Sequence, residues 1–396
     1  MAPAPARAGA QLIAQLIARF GARLSTWAVA QWPGPRITWG ARLLQPLSWL
    51  YGALAALDRS LYTLDLRPVQ RAPVPLLVVG NLVAGGAGKT PTVLALVGLL
   101  RAQGWTPGVV SRGHGRQGTG VVVVAADSPA TEVGDEPLLI HLRSAAPVVV
   151  GADRAAAARA LCAAHPAVNL LIADDGLQHH RLHHDLAVWV LDERGAGNGL
   201  LLPAGPLRQR LPARVPPHSL VLYNAAQPST ALPGVTGARR LAGVLPLADW
   251  WRGAPCPADG GWPALHGRRL LAAAGLARPE AFFAMLEAQG LQIDRLPLAD
   301  HQAFDPLPWP AGTPEVVVTE KDAVKLPPGG HADTTPGGHA DTTVWVATLD
   351  FQPEPAFAEA LRALLAPFAA AAHLAPSARS TAAPSPSSRQ PHEPGP

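Results

Sequence analysis

The spacing of apolar positions changes along the chain, and each change marks a different kind of element. In residues 11–30, Leu12, Ile13, Leu16, Ile17, Phe20, Leu24 and Trp27 recur at helical spacing, with Gln11, Gln15, Arg19 and Arg23 on the other side. This predicts an amphipathic helix. A second helix is predicted over residues 43–57, where Leu43, Leu47, Leu50, Leu54 and Leu57 share one face beside Trp49 and Tyr51. The first run is broken by Arg19 and Arg23 and lacks a small-residue cleavage site, so it is neither a membrane span nor a secretory signal. Trp, Leu and Arg together describe helices lying in a membrane interface. Packing on the protein's own core is the alternative for residues 43–57, whereas 11–30 has no evident partner.

From residue 74 the pattern becomes one of short apolar runs separated by helical segments. Strands are predicted at the head of residues 74–92 and at 106–111, 121–125, 147–150, 168–173 and 186–191. Helices are predicted from Lys89 to about Gln103, from Gly134, and over 154–164. Apolar strands alternating with helices specify an α/β fold with a parallel sheet. Between residues 223 and 268 Pro and Gly are frequent and the periodicity weakens, which predicts a boundary. Strands at 269–274, 292–296, 316–319 and 344–347 and a helix at 279–289 then repeat the alternation. The expected organisation is interface helices (1–71), a phosphate-loop NTPase-type domain (72–225), a second, smaller α/β domain (226–371) and a disordered Ser/Pro/Ala-rich tail (372–396). The octapeptide PGGHADTT stands twice in succession, at 328–335 and 336–343, as a tolerated loop expansion would.

Composition adds little to the fold and more to the setting. The 396 residues, 48% hydrophobic and 15% charged, suffice for two globular domains. Cys162 and Cys256 offer no metal spacing, and a reduced, cytoplasmic setting is the default. Residues 1–71 hold eight arginines against Asp58 and Asp65 and so carry +6; the chain being +4, the remainder is −2. The basic charge belongs to the N-terminal helices, and nucleic-acid binding is not expected.

Candidate chemistry centres on residues 74–92, VPLLVVGNLVAGGAGKTPT. An apolar strand, a glycine-rich turn and Gly88-Lys89-Thr90 opening a helix form a phosphate cradle. Backbone N–H groups of Val83, Ala84, Gly85, Gly86, Ala87 and Gly88 surround the anion, Lys89 reaches the outer phosphates and the Thr90 hydroxyl ligates Mg²⁺. Val83 stands where the usual pattern has its first glycine. Only Lys89, Lys321 and Lys325 are lysines among 32 basic residues, which marks Lys89 as chosen for chemistry that Arg does badly. The strand at 168–173 ends in Asp174-Asp175, candidate Mg²⁺ acids of such a site. The loop Ser111-Arg112-Gly113-His114-Gly115 lies at a strand's carboxyl end, where α/β proteins bind ligands, or is an ordinary turn. Asp135 and Glu136 either cap a helix or project a carboxylate into the site. Arg208, in a Gly/Pro loop, either faces transferring phosphoryl charge or is solvated. Asp300-His301 and Thr319-Glu320-Lys321-Asp322 are potential sites at strand ends. The histidines of 179–184 have no nearby Cys and lack the spacing of a zinc site.

These residues resemble one family, the tetraacyldisaccharide 4′-kinases of Gram-negative lipid A synthesis. The resemblance rests on PLSWLYG (46–52), VVGNLVAGGAGKTPT (78–92), SRGHG (111–115), VGDEP (133–137), DDGLQHHRL (174–182), GNGLLLPAGPLR (197–208), ADHQAF (299–304) and VTEKDAVKL (318–326). It implies transfer of the ATP γ-phosphate to the 4′-hydroxyl of an acylated glucosamine disaccharide 1-phosphate, at the cytoplasmic face of the inner membrane by a peripheral enzyme. It further implies that Lys89 and Thr90 hold phosphate and Mg²⁺, that Asp174 and Asp175 are the metal-side acids, and that Asp135 is the general base with His301 as its partner. Arg208 would contact the phosphates or the transition state. The chain departs from the family at His114, where Tyr is usual, and at Gln209, where Glu often stands. Two other classes share parts of the pattern. A GTPase-type switch would need a guanine-reading Asn/Thr-Lys-x-Asp, which Thr319-Glu320-Lys321-Asp322 does not match; a non-enzymatic membrane-tethered module has no need of Asp135, the acid pair and Lys89-Thr90 together.

Overall fold

The computed structural model describes residues 26–328 and 342–373. Most of the helix expected over 11–30, nearly all of the octapeptide duplication and the tail beyond residue 373 lie outside the described residues. Helix α1 (Trp39–Thr63) is capped by the Thr38 hydroxyl, which accepts from Ala41 N. It docks through its small side. Gly40, Ala41 and Ser48 are buried, and a side chain on Gly52 would collide with Leu201. Ser48 Oγ donates to Leu201 O (2.7 Å) and accepts from Ala204 N (3.0 Å), while Tyr51 OH donates to Arg208 O (2.9 Å). The five leucines of the other face are 54–63% exposed, with Trp39 and Trp49 exposed beside them. The leucine face therefore does not pack on the protein's own core.

Among the described residues twelve strands form one sheet: β1 (Leu76–Gly80), β2 (Pro107–Ser111), β3 (Val122–Val123), β4 (Val148–Val150), β5 (Leu170–Asp174), β6 (Leu186–Asp192), β7 (Ser219–Asn224), β8 (Val235–Pro246), β9 (Arg269–Ala274), β10 (Gln292–Pro297), β11 (Glu315–Thr319) and β12 (Thr343–Pro353). Their order is β10-β9-β11-β12-β8-β7-β6-β1-β5-β2-β4-β3. All neighbours are parallel except β3/β4 and β8/β12. The apolar runs are continuous because both faces of the parallel strands are covered. Leu77 and Val79 enter one core cluster with helices α2 (Lys89–Ala102) and α4 (Asp135–Ser144); Leu76 and Val78 enter another with α5 (Arg154–Ala164). Between α2 and α4 lies the single-turn α3 (Ala130–Val133).

The two halves meet edge to edge through β8, which the Gly- and Arg-broken sequence 235–246 did not announce. Its first residues pair parallel with β7 (Leu222↔Val235, Tyr223↔Thr236), and the rest, Gly237 to Pro246, pairs antiparallel with β12 (Trp345↔Pro246 through Pro353↔Gly237). Beyond this seam β9–β12 run opposite to the parallel strands β1, β2 and β4–β7, so the carboxyl ends of both sets turn toward one cavity. Short helix α6 (Leu247–Trp251) follows β8, α7 (Pro279–Ala288) covers the second half with Phe282, Phe283 and Leu286 buried, and α8 (Glu320–Ala323) follows β11. The last helix, α9 (Pro355–His373), was not expected from sequence; Phe357, Leu361 and Leu365, one turn apart, enter the main core.

Candidate active site

Strand β1 delivers the chain to the phosphate loop, and the loop is held open by its surroundings rather than by glycine alone. Val83, at the position of the usual first glycine, is buried and bridges Leu207; Ala84 N donates to Pro206 O (2.7 Å) and Arg208 N to Leu82 O (2.7 Å). The loop's first residues are thus fastened to the loop that carries Arg208. Asn81 Nδ2 donates to Gly85 O (3.0 Å), and Arg194 Nη1 and Nη2 donate to Ala84 O and Gly86 O. Gly88 caps α2 with φ +81°, and a Cβ there would strike Asn224, whose Nδ2 donates to Ala87 O (3.1 Å). A side chain is excluded at this point on both counts. No side chain caps α2, so its first N–H groups are left for an anion.

The acids at the end of β5 are treated differently by their neighbours. Asp175, at φ +51°, accepts from Arg208 Nη1 at 2.9 and 3.2 Å and lies 3.6 Å from Lys89 Nζ. Burial acts to raise its carboxyl pKa, but Lys89 and Arg208 outweigh it and hold the group below the usual range. Asp174 is fully enclosed. Its Oδ2 accepts from Ser111 Oγ (3.3 Å), and its Oδ1 has no hydrogen-bond partner. Burial, then the charge of Glu136, pushes its pKa up to about 7. Arg154, itself buried, donates to the Asp175 carbonyl (3.0 Å).

Across the cavity, Asp135 opens α4 and receives residues from the second half. His301, at φ +60°, sets Nδ1 3.3 Å from Asp135 Oδ2. Lys325 Nζ lies 3.7 Å from the same oxygen and donates to Asp322 Oδ1 (2.8 Å). Lys321 Nζ donates to Asp300 Oδ1 (2.7 Å) and stands 3.3 Å from His301 Nε2 and 3.4 Å from Glu136 Oε1. The bond to Asp135 raises the His301 pKa above its ordinary value against burial and Lys321. The His114 ring meets that of His301 edge-on, centroids 5.3 Å apart.

A cavity of about 420 Å³ joins these groups. Its lining includes Gly85–Pro91, His114, Glu136, Asp175, Arg208, Asp300, His301 and Lys321, with an apolar wall of Leu276, Ala281, Phe282 and Met285. Of the residues singled out from sequence, Gly85, Gly86, Ala87, Gly88, Lys89, Thr90, Asp175, Arg208 and His301 line it, whereas Val83, Ala84, Asp135 and Asp174 are not part of its wall. Lys321 and Lys325 were missed as a pair. Their signal was available, since all three of the chain's lysines meet here. Asn81, Asn224 and Arg194, which shape the loop's backbone, carry no motif that would announce them. Among the described residues no group of three or more His, Cys, Asp or Glu is placed to hold a metal ion.

A model of the family described as tetraacyldisaccharide-1-P 4′-kinase matches residues 40–366. The chain belongs to this family. The tetraacyldisaccharide 4′-kinase of Methylibium petroleiphilum is 55% identical over 351 residues, covering 87% of this chain and 95% of that one. That of Leptothrix cholodnii is 52% identical over 322 residues, covering 81% and 91%. The crystal structure of the "apo" form of LpxK from Aquifex aeolicus in complex with ATP shares the fold, with TM-score 0.65 and 25% identity over 83% of this chain and 99% of that one. As a family member the chain is a kinase of lipid A synthesis, a transferase whose acceptor is a sugar hydroxyl of a lipid disaccharide. Among its described residues no helix is long and apolar enough to cross a membrane.

Proposed function

We propose that this site binds ATP with Mg²⁺ on the Gly85–Thr90 loop and transfers the γ-phosphate to the 4′-hydroxyl of tetraacyldisaccharide 1-phosphate. The carrying observation is the cavity that runs from the phosphate loop to His301, whose Nδ1 lies 3.3 Å from Asp135 Oδ2. Binding of ATP by the Aquifex aeolicus relative supports the donor. The Mg²⁺ reading is supported by the unpartnered, buried Asp174 Oδ1 and by an all-oxygen donor set of Thr90, Asp174 and Asp175, which suits a hard cation. Bound there, the ion would neutralise charge developing on the phosphates.

The chain's own groups then divide the work. The α2 N-terminus and Lys89 position the outer phosphates. Arg208, tethered to Asp175, stands ready to meet equatorial charge. A sugar hydroxyl is a poor nucleophile at neutral pH, so Asp135 accepts its proton, oriented by His301. Residues 72–225 supply the donor site and 226–371 supply His301, so approach of the two domains completes the pair. The exposed leucine face of α1, with the basic charge of residues 1–71, lies on the cytoplasmic surface of the inner membrane, where a four-chain lipid resides.

A guanine-specific switch is disfavoured by Asp322. It is fully buried, and its Oδ2 accepts from Gly275 N (2.9 Å) and from Thr319 Oγ1 (2.7 Å), so it caps strand ends instead of facing the cavity. The test is transfer of labelled γ-phosphate to the purified lipid acceptor in mixed micelles, with ATP and GTP in competition. Label at the 4′ position, displaced by unlabelled ATP and poorly by GTP, is expected. Efficient displacement by GTP, or hydrolysis without an acceptor product, would refute the assignment.

A further inference from the structure

We infer that Lys321 is a positioning residue that fixes the tautomer of His301 and opposes its second protonation, so that the ring serves Asp135 as an orienting donor. This rests on the Asp135–His301 reading of the site. An ammonium has three donors and no acceptor. Lys321 faces three protein groups, Asp300 Oδ1 at 2.7 Å, His301 Nε2 at 3.3 Å and Glu136 Oε1 at 3.4 Å. Two of its protons are thus directed at Asp300 and His301, and its charge is paired with Glu136. Opposite an ammonium, Nε2 can only accept, which places the ring proton on Nδ1, 3.3 Å from Asp135 Oδ2. His301 and Lys325 both face Asp135 Oδ2, which leaves Oδ1 to take the acceptor's proton.

The charged groups around the ring act in opposite directions. Asp135, Asp300 and Glu136 favour imidazolium; burial and Lys321 oppose it. Lys325, 3.7 Å from Asp135 Oδ2, adds positive charge behind the carboxylate, and the His114 ring faces His301 from the loop after β2. Lys321 keeps its own charge in this setting, since Glu136 and Asp300 outweigh its burial. Without it, a second ring proton would form more easily and would weaken Asp135 as a base.

The test uses the full chain in detergent micelles, ¹⁵N-labelled at histidine, with a His301→Gln spectrum for assignment. At pH values above its raised pKa, wild-type His301 should be neutral and protonated at Nδ1, and Lys321→Met should mix the tautomers. The acid limb of its kcat/KM profile should move up by about one pH unit, and Lys321→Arg should restore the wild-type limb. Should Lys321→Met fail to fold, Lys321→Gln, which keeps N–H donors and loses the charge, reads the same limb. An Nε2–H tautomer in the wild type, or an acid limb unmoved in the neutral variant, would overturn the role. The dyad reading fails separately, if Asp135→Ala keeps full turnover; the tautomer of His301 is measured without reference to activity.

Discussion

Replacing Leu50 and Leu54 together by Asn tests whether α1 carries the enzyme to its lipid. The two are 57% and 59% exposed and lie one turn apart on the leucine face. Full burial of a leucine is worth about 1.5–3 kcal/mol, so inserting the exposed part of each contributes about 1–1.5 kcal/mol. The pair therefore supplies about 2–3 kcal/mol, and at 1.4 kcal/mol per factor of ten its loss should weaken partitioning about 30- to 100-fold. Neither residue belongs to a core cluster, so folding should change by no more than about 0.5 kcal/mol each. Sedimentation with anionic phospholipid vesicles measures the partition coefficient, and nucleotide titration of the same samples provides the control. Weaker vesicle binding with unchanged ATP affinity is expected. Partitioning within about twofold of wild type would refute the reasoning from the exposed face.

Three further substitutions probe the site. Gly88→Ala forces an L-residue to φ +81° and into Asn224, at a cost of about 1–2 kcal/mol for the backbone alone; ATP affinity by calorimetry should drop about tenfold or more. Tyr51→Phe removes the bond to Arg208 O, worth about 1 kcal/mol, and should lower kcat about fivefold while leaving ATP binding intact; an unchanged kcat would detach α1 from the Arg208 loop. Asp174→Asn addresses pH. The folded pKa of Asp174, about 7, lies above the ordinary carboxyl value of 3.8, so the folded state holds the extra proton and wild-type stability falls as pH rises from about 4 through 7. In Mg²⁺-free buffer the Asn variant should melt higher than wild type at pH 8 and converge with it near pH 4, and parallel melting curves would contradict this.

The first half was readable because its strands are covered on both faces, and continuous runs such as Leu76–Gly80 admit few other structures. Strand β8 was hidden by Gly237, Arg239, Arg240 and Gly243, whose place is justified by pairing with β12 about a hundred residues away. Helix α9 was legible in principle through Phe357, Leu361 and Leu365, but Pro355, Pro367 and its alanines blend into the Pro/Ala-rich tail. At the site, Lys89, Thr90, Asp175, Arg208 and His301 could be named because their chemistry is typed by residue and spacing, and the structure lines one cavity with them. Val83 looked like a defect until its side chain proved to be buried against Leu207. Lys321 and Lys325 depend on how the β9–β12 half of the sheet is joined through β8 to the β1–β7 half, a relation that no local pattern encodes.

Phosphoryl transfer by wild type and Asp135→Ala, each saturated with Mg-ATP and given purified tetraacyldisaccharide 1-phosphate, tests the central claim most directly. Wild type should place phosphate on the 4′-hydroxyl, and the variant should bind ATP normally while losing about 10²- to 10⁴-fold in kcat. Equal turnover by the two proteins would contradict the assignment of Asp135 as the base, and absence of lipid product from the wild type would contradict the kinase site itself.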